Sequence, residues 1–175
     1  MTRLKKLPVK ISAGLGLSMV DRAVKEWFSE RCAADDLAAV YAYFKVNGGD
    51  YCFYCDAPEP TRWDHLHAVS RGGSTVPGNL VPACGRCDDS KQARDVEEWI
   101  ASKSRHRPSG ERLQVLLGKI RAYREHFHYQ PVAFEKRLSP SQREVYTRLR
   151  VEIDTLRTHL QAAGVLQETK RRTQQ

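Results

Sequence analysis

Cys52-Phe53-Tyr54-Cys55, Trp63-Asp64-His65-Leu66-His67 and Cys84-Gly85-Arg86-Cys87-Asp88-Asp89-Ser90-Lys91 are the three pieces of sequence on which the fold turns. A Cys-x-x-Cys pair presents two thiolates to one ion from a single tight turn, and two such pairs complete a tetrahedral Cys₄ shell for zinc. The 28 residues between the pairs exceed the roughly 15–20 of the commonest zinc-finger spacing. A zinc ion held by Cys52, Cys55, Cys84 and Cys87 therefore closes a longer loop, with room in it for functional side chains. Thiols at metal-ligand spacing suit a reducing compartment better than a disulfide framework does. Cys32 stands outside the pattern and reads as a small buried hydrophobe.

Between and around the cysteines the chain is turn-rich. Pro58 and Pro60 mark a loop, Arg62 to Val69 reads as a strand, and Ser70-Arg71-Gly72-Gly73-Ser74 reads as a turn. Gly78-Asn79 is another turn, and Leu80-Val81 is a short extended piece. A helix is expected from near Asp88 through Lys91, and Asp95 with Glu98 three residues on is expected to cap the next, carrying Val96, Trp99 and Ile100.

The flanks read as helical. Ser18 with Asp21 resembles a helix start, followed by Val20, Val24, Trp27 and Phe28 on one face. Asp35 can cap a second helix that turns Leu37, Val40, Tyr41 and Phe44 inward and stops at Gly48-Gly49. Both stripes are expected to be core that braces the cysteine module. Beyond Pro108, Leu113, Leu116, Leu117, Ile120, Tyr123 and Phe127 share a face. Ser139-Pro140-Ser141-Gln142 matches a capping box with proline at the first helical position, and Val145, Leu149, Ile153, Leu156 and Leu160 follow at helical spacing. The expected organisation is a helical segment at 1–49, the cysteine module at 50–104 and a basic helical region at 105–175. The first 17 residues read as an arm and Lys170–Gln175 as a frayed end. The C-terminal helices could pair with each other, pack on the module, or form a homodimer or protein-partner interface.

Composition is that of an ordinary globular chain: 175 residues, 41% hydrophobic and 29% charged. Apolar runs are too short to span a membrane, and the basic start lacks an apolar signal-peptide core, which points to a cytoplasmic protein. The net charge of +8 is unevenly spread: +2 over residues 1–50, −3 over 51–100 and +9 over 101–175. An acidic cysteine segment suits a cation site, and a basic tail suits a polyanion such as DNA.

Asp64-His65 is the pair with chemical capacity. Asp is a hard oxygen ligand suited to magnesium, and imidazole, with an ordinary pKa of about 6.5, can take a proton from water. Adjacent strand residues point to opposite faces, so a regular strand would separate the two; a twisted one could let Asp64 reach a cation while His65 faces a phosphate. Asp88-Asp89, at the start of the helix after the second cysteine pair, could aim a carboxylate at the same point. Two carboxylates and an imidazole suffice for metal-assisted phosphodiester hydrolysis.

In residues and order, Cys52-Phe53-Tyr54-Cys55, Trp63-Asp64-His65-Leu66, Ser70-Arg71-Gly72-Gly73-Ser74, Asn79-Leu80-Val81 and Cys84 to Lys91 resemble the HNH endonucleases. The resemblance covers about residues 50–100. It implies an α+β fold: a small ββα-metal, treble-clef-like core with a structural Cys₄ zinc, here carrying N-terminal and C-terminal helical extensions. It implies DNA as partner and cleavage to 5′-phosphate and 3′-hydroxyl ends. His65 falls on the general base, Asp64 on the ligand of a catalytic Mg²⁺ or Mn²⁺, and Asn79 on the loop-ordering residue. Asp88 falls where the family has His or Asn, a change that keeps ligation of a hard cation. Ala68 stands where many members have proline. Arg71, Arg86 and Lys91 are candidate phosphate clamps, and His67 could contact phosphate or metal. The competing reading is a non-catalytic Cys₄ zinc module that binds DNA or a protein, or a nuclease subunit that needs a partner.

Overall fold

The computed structural model describes residues 13–48 and 51–166. Gly49, the arm before Ala13, and the basic end Lys170–Gln175 fall outside the described residues, so the expectations placed on them do too. The chain divides into two compact units, Val24–Leu138 and a second made of Met1–Ala23 with Ser139–Gln175.

The unit Val24–Leu138 contains the cysteine module. Its only sheet among the described residues has two antiparallel strands, β1 (Arg62–His65) and β2 (Leu80–Ala83), in the register Arg62↔Ala83, Trp63↔Pro82, Asp64↔Val81 and His65↔Leu80. Around it lie α2 (Ala34–Val46), α3 (Gly85–Lys91), α4 (Val96–Ala101), α5 (Glu111–His126) and the short α6 (Phe134–Arg137). Helix α1 (Ala13–Trp27) runs from one unit into the other, and α7 (Pro140–Ala162) belongs to the second. The fold is α+β, with a ββα core formed by β1, β2 and α3 and with helical extensions on both sides.

Packing around the strands explains why so short a hairpin persists. Val40 and Phe44 of α2, Phe53, Leu66, Val81, Val96, Trp99, Leu116, Ile120 and Tyr123 form one buried cluster, each contributing about 1.5–3 kcal/mol through removal from water. Tyr123 also donates its hydroxyl to Leu80 O at 2.6 Å, so α5 is fastened to β2 by a polar bond inside an aromatic nest of Tyr43, Phe44, Phe53 and Phe127.

Several local expectations are corrected. The strand expected to Val69 ends at His65, because Val69–Arg71 turns into a 3₁₀ segment whose end, Gly72, adopts φ +97°. Helix α3 starts at Gly85, inside the second cysteine turn, rather than at Asp88. Asp95 sits at the cap of α4 but spends its side chain on Ala68 N, 2.7 Å away, so no capping box forms. Ser18 lies within α1 and bonds back to Gly14 O at 3.0 Å. The cap of α2 is Ala33, with Asp36 reaching back to its N–H. Trp27 is 84% exposed, and Val20 and Tyr41 are open as well, so the stripes containing them are only partly core. Cys32 is half-buried. The capping box at Ser139 forms as expected, with Ser139 and Gln142 bonded reciprocally. In the same unit Tyr146 is buried and donates to Asp21 at 3.0 Å.

Candidate functional site

The four cysteines converge. Their sulfur atoms all lie within 4.8 Å of one another, with Cys55 and Cys84 Sγ 3.7 Å apart. A tetrahedron with Zn–S bonds of about 2.3 Å has edges of about 3.8 Å, so the cage has the dimensions of a zinc site. Backbone N–H groups of Tyr54, Cys55 and Cys84 point at Cys52 Sγ, and that of Ala57 at Cys55 Sγ, the pattern by which a turn stabilises thiolate charge. A hydrogen bond from Cys87, with these amides adding to it, draws the Cys52 thiol down to about 5. Cys52 and Cys87 are buried while Cys55 and Cys84 are half-buried. Donor number, donor type and spacing fit zinc. Among the described residues this is the one group of three or more such donors close enough to share an ion.

Asp64 and His65 leave β1 on opposite faces, as strand geometry requires. Asp64 points inward and is buried. Its Oδ2 accepts from Tyr54 Oη at 2.7 Å, and Lys91 Nζ lies 3.2–3.3 Å from both carboxylate oxygens. Burial first, and the Asp64 charge second, hold the Tyr54 hydroxyl well above its ordinary range. Lys91 has no exposed surface, so the expectation that it clamps a DNA phosphate is corrected: an ammonium enclosed by α3 and β1 is an internal counter-charge. Asp88, half-buried on α3, accepts from Arg62 Nη1 at 2.8 Å, and the same nitrogen reaches Asp89 at 2.6 Å. The two carboxylates expected at one ion are thus each held by a different cation. The exposed Arg62 pairs cost little to break, typically below about 1 kcal/mol; the enclosed Asp64–Lys91 pair costs several.

His65 emerges half-buried at the end of β1, with Nε2 2.9 Å from Thr75 Oγ1. Thr75 is held in turn by backbone bonds to the segment before α2: its N–H donates to Glu30 O at 3.0 Å, and its carbonyl accepts from Cys32 N at 2.5 Å. Sequence reasoning missed Thr75; its place within the loop between the two strands was the available signal. Asn79 has no exposed surface and uses its whole amide. Its Oδ1 accepts from His67 N at 2.7 Å, while Nδ2 donates to His67 O at 3.0 Å and Ser74 O at 2.7 Å. It therefore locks the backbone two residues past His65 to the residue before Thr75. Gly73 makes that approach feasible, since a Cβ there would stand 1.8 Å from His67 O.

His67 is buried, with Nδ1 3.4 Å from Tyr129 Oη. Burial lowers its pKa from the ordinary value, and the Arg137 and Arg124 charges add to this against the opposing Asp95. Arg71 is exposed and forms a forked pair with Glu98 at 3.0 and 3.2 Å. Arg86 is exposed on α3.

Two strands, a helix seeded in the second cysteine turn, and a Cys₄ cage of zinc-site dimensions define a ββα module. Residues 52–94 match the model of the HNH endonuclease family. That segment contains the cage, both strands and α3, so the similarity to HNH endonucleases falls on this part of the chain. No curated protein matches the chain, and no solved structure does. No helix among the described residues is long and apolar enough to cross a membrane.

Proposed function

We propose that the protein hydrolyses DNA phosphodiester bonds with the help of one divalent ion, leaving 5′-phosphate and 3′-hydroxyl ends. The observation that carries this reading is the fixed posture of His65, at a strand end inside the matched segment, gripped by Thr75 and braced through Asn79. His65 takes the proton of an attacking water. When Nε2–H is donated to Thr75, the lone pair sits on Nδ1, the nitrogen that then acts as base. Asn79 positions this ring by holding the loop on either side of it.

Asp64 and Asp88 are the hard oxygen donors that suit Mg²⁺ or Mn²⁺. Asp88 is available at the small cost of Arg62, and Asp64 only in competition with Lys91. Such an ion supplies Lewis-acid stabilisation of charge on the phosphate and the leaving oxygen. Arg86, exposed on α3, and Arg71, at the cost of its pair with Glu98, contact flanking phosphates in this reading.

The test is nicking of supercoiled plasmid by the zinc-loaded protein with added magnesium or manganese. The expected result is nicking that EDTA abolishes and that His65→Ala lowers by about 10²–10⁴-fold with little change in DNA affinity. Equal loss of binding and cutting in His65→Ala would assign the ring a structural role. Absence of cutting with full DNA binding would leave the non-catalytic zinc module standing.

A further inference from the structure

Two arginines outside the matched segment act electrostatically on His67. Arg137 is the last residue of α6, and its Nη1 donates to Ser74 Oγ. Arg124 on α5 spends Nη1 on Glu97 at 2.7 Å. In both, Nε and Nη2 are buried with no hydrogen-bond partner. Four enclosed guanidinium nitrogens without acceptors leave a desolvation cost unrecovered. They are also concentrated: both guanidinium charges act on His67 and on Tyr129, whose hydroxyl faces the His67 ring.

Of these groups Arg137, His67 and Tyr129 border an open cavity of about 630 Å³, which Ser74 also lines, while Arg124 lies outside its lining. Glu30 and Asp36 stand on its wall as well, Asp36 with one oxygen committed to Ala33 N. The shape is fixed by close backbone packing. A Cβ on Gly72 would come within 2.5 Å of Phe134 Cβ, and one on Gly78 within 2.3 Å of Tyr129 Cβ. The segment 127–137 is therefore seated directly on the two ends of the loop that carries Ser74 and Thr75.

We propose that this cavity is a phosphate-binding pocket in which Arg137, seconded by His67 and Tyr129, holds a phosphate group of a nucleic-acid strand. A phosphate brings several acceptor oxygens and a negative charge, the two things the Arg137 guanidinium lacks among the described residues. Its place follows from the chain: His67 is two residues beyond His65, and Ser74 adjoins Thr75, the partner of His65. This rests on the reading of the protein as a DNA nuclease, and it assigns to the region after the matched segment the task of anchoring the strand beside the cutting residue.

The test measures binding of fluorescent DNA to His65→Ala protein by anisotropy across a salt series, with and without Arg137→Gln. Zinc content and circular dichroism check folding, and Arg137→Lys serves as a second variant that keeps charge but loses the fork. We expect Arg137→Gln to weaken binding about tenfold and to lower the salt slope by about one, with Arg137→Lys intermediate. A separate arm titrates inorganic phosphate against chloride at equal ionic strength. A rise in melting temperature that Arg137→Gln abolishes, without any effect of the variant on DNA, assigns the pocket to a free phosphate compound instead of a strand. Unchanged DNA affinity, unchanged slope and no phosphate-dependent stabilisation in folded Arg137→Gln overturn the proposal. Failure of the wild type to nick plasmid, with the Arg137-dependent slope intact, would reject the nuclease reading and keep the pocket.

Discussion

At the scale of single residues, the hairpin of β1, β2 and the loop between them depends on buried polar groups with bonded partners, Asn79 and Asp64 above all. Asn79 has no exposed surface and makes three hydrogen bonds. Asn79→Ala strands the backbone groups it serves, and its expected cost is about 2–4 kcal/mol, read by denaturant unfolding. A loss below about 0.5 kcal/mol would show that the loop holds itself. Lys91→Ala leaves the Asp64 carboxylate enclosed without a counter-charge, an expected loss of about 3–5 kcal/mol. Adding Asp64→Asn to that variant should recover part of it, and a double variant as unstable as the single would contradict the pairing. His67 gives a pH signature. Its folded pKa lies below the ordinary 6.5, chiefly from burial. Above about pH 6.5 the ring is neutral in both states and costs nothing; below it the unfolded chain binds the proton first, so stability falls as pH falls. His67→Gln is expected to flatten the change in unfolding free energy between about pH 7.5 and 5.5, and parallel curves for the two proteins would refute this.

At the scale of elements, the four-cysteine cage joins pieces too short to stand alone. β1 and β2 have four residues each and α3 seven, whereas isolated hairpins and single-turn helices are marginal in water. Structural zinc is worth about 10–16 kcal/mol in small finger peptides, comparable to the whole stability of a domain. Removing it with a tight chelator, or replacing Cys84 with Ala, is therefore expected to abolish cooperative unfolding of the 52–94 segment, followed through Trp63 and Trp99 fluorescence. A metal-free protein with unchanged melting would disprove the role. Much of this level was legible in the sequence. Cysteine spacing gave the cage, and the order of motif pieces gave strand, loop and helix. What escaped were decisions made by neighbours: Asp95 serving Ala68 instead of its own helix, the strand ending at His65 where the 3₁₀ turn begins, and Lys91 turning inward to Asp64. The cavity beside His67 escaped because Arg137 lies in a stretch that read only as basic helix. Charge counts do not reveal which guanidinium groups fold inward.

At the scale of the molecule, charge separates by region, with +9 over residues 101–175 and −3 over 51–100. A basic excess beside an acidic module attracts a polyanion mainly through counterion release. DNA affinity is expected to fall at least about tenfold as salt rises from about 50 to about 200 mM, with little dependence on base sequence. Measurement by anisotropy decides it, and affinity insensitive to salt would argue that DNA is not the partner of this charge. The two compact units locate this excess unevenly too, since α5 and α6 lie with the cysteine module in Val24–Leu138 and α7 does not.

The enclosed ammonium of Lys91 has a consequence for how the protein matures. A chain that carries its own positive charge to Asp64 can enclose that carboxylate in a magnesium-starved environment. If the proposed divalent ion serves catalysis, chelators selective for alkaline-earth ions should then silence the protein while leaving it intact, so that activity returns on simple readdition without a refolding step.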